Sequence, residues 1–213
     1  MISPDNQAQF VPKGPTFQSV SSVCQTIVQC RLIKRYNLKR IQLCTEDDDE
    51  PVIEALVTPN YFTDSHCPTL IIIPGKGDSR AGILSTRQMV LSGMEAGSTE
   101  FFLEQARGIG MAVVLLDPNA RGPQSGMTCL ELSLTKLFEK DDNQQRRPLY
   151  ILAHSAAGGY LVRYLLLGQC RSIMIENLRA ICFTDSTHNI QWAKPRKDES
   201  GETHGDKALF GFL

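Results

Sequence analysis

Five short apolar runs punctuate the second half of the chain's first three quarters and its continuation, and their spacing predicts the fold. Thr69-Leu70-Ile71-Ile72-Ile73, Met111 to Leu116, Leu149 to Ala153 and Ala180 to Thr184 are continuously apolar or nearly so. Continuous rather than alternating hydrophobicity marks strands covered on both faces of a parallel sheet. Leu38 to Leu43 and Val52 to Val57 are also strand-like, and the acidic segment 44–51 between them predicts an antiparallel hairpin at a sheet edge. Helical segments alternate with these strands. One is expected over Val20 to Lys34, burying Val20, Val23, Ile27 and Val28. Another is expected to be capped by Ser98, with Glu100 in its first turn and Phe102, Ala106 and Ile109 on one face. A third runs from Gly159 to Leu167. Alternating strands and helices imply right-handed βαβ units whose ligands lie beyond the carboxyl ends of the strands. Pro74, Asp117, His154 and Asp185 all fall at those ends.

The chain length of 213 residues suits one domain of this kind. Three segments are expected: a flexible arm over 1–16, which carries three prolines, an α/β domain over 17–192, and a polar tail over 193–213 with an apolar docking segment, Ala208 to Leu213. A formal net charge of -1 offers no global field for nucleic acid or an anionic membrane. The basic runs Arg31 to Arg40 and Lys194 to Lys197 read as solvated faces, so direct nucleic-acid binding is disfavoured. No basic-then-apolar leader opens the sequence, and no run approaches the ~18 apolar residues of a membrane span. The seven cysteines lack CxxC spacing, which is the usage of reduced, intracellular thiols, with Cys129 and Cys182 expected to be buried. Neither a metal site nor a cofactor site is expected.

The strongest chemical signal is Leu149 through Gly159, where an apolar strand runs into His154-Ser155-Ala156-Ala157-Gly158 and then a helix. This is the nucleophile-elbow pattern, in which a serine sits on a sharp strand-to-helix turn. The positions two before and two after the serine must be small, and Ala153 and Ala157 occupy them where glycine is usual. The bland alternative is a packing turn in which Ser155 caps the helix. Pro74-Gly75-Lys76-Gly77 follows the first buried strand, where hydrolases of this architecture place an oxyanion-binding amide. Gly75, Lys76, Gly77 and Ala156 are therefore the oxyanion-hole candidates. A phosphate-binding P-loop is not matched there. Ser155, Asp185 and His188 occur in the chain order of a hydrolase triad, although Asp and His only three residues apart depart from the usual delivery on separate loops. His204 is the alternative base. His154 is read as a pocket-wall residue and His66 as part of a surface loop.

Taken in order, Leu70 through Gly77, Arg80-Ala81-Gly82, Gly110 through Asn119, Ala153 through Gly159 and Thr184 through Asn189 resemble the Argonaute-binding-protein-two (Arb-two) domain, found in cotranscriptional regulators and appended to some fungal histone deacetylases. The resemblance spans roughly Glu50 to Trp192. It implies an α/β-hydrolase-like three-layer sandwich with a mostly parallel central sheet, Ser155 in the nucleophile position, and roles with Argonaute-type, chromatin or splicing proteins in nucleus or cytoplasm. Two departures stand out: Pro74 replaces the histidine of the family's His-Gly-x-Gly loop, and the late segment bearing a triad-like histidine is missing or collapsed into Ser200 to His204. Such a shortened C-terminal end would leave an exposed sheet edge. The expectation is a hydrolase-like adaptor in small-RNA-linked silencing, with an intracellular serine hydrolase acting on a small ester, thioester or amide as the alternative. A degenerate copy is the third reading.

Overall fold

The computed structural model describes residues 15–44, 50–139, 147–166, 172–189, 196–197 and 203–204. Its elements are α1 (Pro15–Tyr36), β1 (Lys39–Gln42), β2 (Glu54–Val57), α2 (Asn60–Thr63), β3 (Thr69–Ile73), α3 (Thr86–Ser92), α4 (Glu100–Gly108) and β4 (Ala112–Leu115). There follow α5 (Gly126–Leu137), β5 (Leu149–His154), α6 (Ala156–Leu166), α7 (Ser172–Asn177), β6 (Leu178–Thr184), β7 (Arg196–Lys197) and β8 (Thr203–His204). All but two residues of the expected arm, and the expected docking segment Ala208 to Leu213, lie outside the described residues. The expected polar tail contributes the small antiparallel pair β7–β8.

The main sheet has the order β1-β2-β4-β3-β5-β6. Strands β3 to β6 are parallel to their neighbours, while β2 runs antiparallel to both β1 and β4. Alternate side chains of the central strands feed two cores. Ile71, Ile73, Val114, Ile151 and Ala153 face α5, α6 and α7, where Leu130, Leu134, Leu161 and Tyr164 are fully buried. Ile72, Val113, Leu115 and Leu152 face α1, α3 and α4 through Leu32, Met89, Leu103 and Ala106. Burial on both faces is why these strands show no polar alternation. The expected three-layer α/β architecture with its edge hairpin is the observed one.

Helix α1 differs from expectation in its orientation. Val20, Val23 and Ile27 are 38%, 59% and 47% exposed, and the inward face is instead Ser21, Gln25, Val28, Leu32 and Tyr36. Along that single face the helix is polar at one end and apolar at the other. Its exit is closed by Asn37 at φ 52°, with the Leu38 amide donating to the Ile33 carbonyl at 3.0 Å, a Schellman-type end. Arg35 pairs with the half-sequestered carboxylate of Glu100 at 2.6 Å, Arg31 pairs with the same carboxylate, and the Tyr36 hydroxyl donates to Glu104 at 2.9 Å, tying α1 to α4.

Three further expectations are corrected. Thr99 rather than Ser98 precedes α4, although the Ser98 hydroxyl still accepts the Glu100 amide at 3.2 Å. Ile109 is 74% exposed because the helix ends one residue before it. Strand β6 is not fully buried: Ala180 and Cys182 are exposed and only Leu178 is buried, since β6 is the last strand of the sheet among the described residues. An apolar run alone does not distinguish a central strand from the outermost one. No disulfide occurs among the described cysteines.

Candidate active site around Ser155

Strand β5 ends at His154, and the next residue turns at once into α6. Ser155 occupies the left-handed region at φ 54°, an unfavourable conformation for a residue with a side chain. Three backbone hydrogen bonds hold it there: its amide donates to Thr184 O at 2.9 Å, and its carbonyl accepts the amides of Gly158 at 3.2 Å and Thr187 at 3.3 Å. The elbow is thus fastened to the segment leaving β6. Ala153 and Ala157 are both fully buried, so methyl groups fit where glycine is usual. Gly158 cannot carry one, because a β-carbon there would lie 1.9 Å from Ser186 Oγ.

The loop after β3 comes directly against the serine. A β-carbon built on Gly75 would stand 2.7 Å from Ser155 Cβ and 3.2 Å from Oγ. Among the oxyanion-hole candidates, the amides of Lys76 and Ala156 carry no hydrogen bond among the described residues. The Gly77 amide is different, since it donates to Asn119 Oδ1 at 3.2 Å. The Asn119 side-chain nitrogen in turn donates to Gly75 O at 2.8 Å and Ser79 O at 2.7 Å. One buried side chain therefore shapes the whole loop. It was not among the residues singled out from sequence, though its place in Asp117-Pro118-Asn119 after a buried strand is a turn signal.

Asp117 sits beneath the same loop, where its Oδ2 accepts Arg80 Nε at 2.7 Å and its Oδ1 accepts the Asn119 amide at 3.2 Å. Burial pushes the Asp117 carboxyl above its usual range, against the opposing pull of Arg80. This pair, too, is scaffolding under the loop.

Asp185 and His188 reach the same edge of the sheet but make no hydrogen bond with Ser155 or with one another among the described residues. Asp185 is exposed, with φ 48°. The His188 ring stacks on Phe183 at a centroid distance of 3.9 Å, and its Nδ1 shares a 2.8 Å hydrogen bond with Ser186 Oγ. His154 Nδ1 shares one of 3.1 Å with Thr184 Oγ1, which holds the imidazole against β6. His204 lies in β8, and His66 is exposed in a loop. No group of three or more His, Cys, Asp or Glu among the described residues is placed to hold a metal ion. No described helix is long and apolar enough to cross a membrane.

Residues 16–137 match the family model of the Arb2 domain. The chain belongs to the Arb2 domain family. A search of curated proteins gives no match for this Arb2 chain. Among solved structures it resembles the histone deacetylase Clr3, at 12% identity with a TM-score of 0.51, covering 95% of this chain and 30% of that one. It also resembles a histone deacetylase from Saccharomyces cerevisiae at 15% identity, a TM-score of 0.49 and coverage of 90% and 77%. A putative thioesterase from a Silicibacter species aligns at 12% identity and a TM-score of 0.45, covering 83% of this chain and 60% of that one. At these identities the likeness concerns the fold. The elbow at Ser155, the loop at Gly75 and the strand order together make this Arb2 chain a hydrolase-fold protein.

Proposed function

We propose that this Arb2 chain is a non-hydrolytic adaptor, with residues 17–192 as its working unit, that joins Argonaute-type, chromatin or splicing proteins in the nucleus or cytoplasm. The observation carrying this reading is the engagement of His188. A serine hydroxyl becomes a nucleophile when an imidazole accepts its proton and a carboxylate orients that imidazole. Here His188 is stacked on Phe183 and bonded to Ser186, while Asp185 points no hydrogen bond at it among the described residues. The fold's presence within a histone deacetylase chain, Clr3, is compatible with an appended partner-binding role.

The experiment pairs two readouts on the full chain. An immobilised wild-type chain is expected to retain an Argonaute-type or chromatin protein, and Ser155→Ala is expected to retain it equally. Loss of capture with Ser155→Ala, or capture of none of these protein classes, overturns the adaptor reading.

A second reading, a serine hydrolase acting on a small ester through Ser155, Asp185 and His188, is favoured by one observation. The unpaired Lys76 and Ala156 amides flank Ser155 where an oxyanion would form. Turnover of p-nitrophenyl acetate lost in both Ser155→Ala and His188→Ala would support it.

A further inference from the structure

The polar end of α1 overhangs a cleft of about 410 Å³ on the side of the Gly75 loop away from β6's exposed edge. Gln18, Ser21, Ser22 and Gln25 form one wall, and Gly77, Asp78, Arg80 and Asn119 are among the residues of the other. Positions 18, 21, 22 and 25 lie on one helical face, and further along that face Val28 and Leu32 enter the core. A helix face that turns polar while still directed inward costs stability unless its polar groups find partners. Ser21 does not: it is 2% exposed, and its Oγ has no hydrogen-bond partner among the described residues. Arg80 faces the same space half-exposed, with Nε committed to Asp117 and both Nη groups without a hydrogen bond among the described residues.

We infer that this cleft binds a small phosphate monoester carrying hydroxyl groups, of the sugar-phosphate type. The Arg80 fork, the Ser21 and Ser22 hydroxyls and the Gln18 amide supply donors from several directions, which suits a three-oxygen group better than a planar carboxylate. Asp78, the exposed carboxylate of the lining, accepts from the ligand's hydroxyls and disfavours a second anionic group there. The site does not depend on whether Ser155 reacts.

The test is thermal unfolding of the full chain with ribose 5-phosphate, inorganic phosphate, or sodium chloride at matched ionic strength, since a ligand of the native state raises Tm by mass action. Ribose 5-phosphate is expected to raise Tm saturably, with half-saturation at a concentration at least ten-fold below that of phosphate. Ser21→Val and the surface variant Gln18→Leu are each expected to weaken binding at least ten-fold, whereas Ser155→Ala leaves it unchanged. A rise matched by sodium chloride, equal half-saturation by the two phosphates, or unchanged binding in Gln18→Leu overturns the assignment.

Discussion

Gly75 and Ser155 are in such close approach that a β-carbon at position 75 would fall 2.7 Å from Ser155 Cβ. The loop after β3 and the elbow after β5 are thus packed backbone against side chain, and glycine is the residue that permits it. Gly75→Ala is expected to cost about 2 kcal/mol, in the range of overpacked sites. Urea denaturation of the variant against wild type measures this, and an unchanged midpoint would show that the loop moves aside freely.

Asn119 has three partners on that loop, the carbonyls of Gly75 and Ser79 and the amide of Gly77. Truncation leaves them unpaired where water has little access. Asn119→Ala should therefore cost about 3 kcal/mol. Hydrogen exchange should show the Gly77 amide losing protection while amides in β5 keep theirs.

The two layers of helices and the parallel strands were legible in the sequence because β-branched runs such as Leu70 to Ile73 need cover on both faces, which few other arrangements supply. The elbow at Ser155 was legible because a serine flanked by Ala153 and Ala157 between an apolar strand and a helix has a steric signature. What the sequence did not disclose was long-range. The inward face of α1 could not be told from its valines, since Ser21 and Gln25 are buried over a polar cleft rather than over the core. Likewise, the Asn119 clamp joins residues more than 40 positions apart, and the stacking of His188 on Phe183 depends on side-chain torsions that chain order does not specify.

Backbone strain at Ser155 gives a third expectation. The left-handed conformation at φ 54° favours glycine over any residue with a β-carbon. Ser155→Gly should be more stable than Ser155→Ala by about 1 kcal/mol in matched denaturation curves. Equal stability of the two variants would mean that the elbow relaxes out of this region.

Tyr36 provides a pH signature for the α1–α4 contact. Burial, together with its hydrogen bond to Glu104, pushes the phenol up to about 12 from its ordinary value of 10.0. Because the folded value is the higher one, the stabilisation is complete below the unfolded value near 10 and disappears as pH rises through about 12. Tyr36→Phe should lose stability at neutral pH yet show a shallower decline above pH 10. Thermal melts at stepped alkaline pH would detect the difference, and parallel curves would remove Tyr36 from the alkaline transition.

The central claim is that the fold retains a hydrolase elbow while His188 is held away from its serine. Labelling of the full chain by a fluorophosphonate probe at neutral pH tests this most directly, because phosphonylation requires an activated hydroxyl. The account predicts no band above that of the Ser155→Ala chain, whereas a strong band that disappears with Ser155→Ala would contradict it.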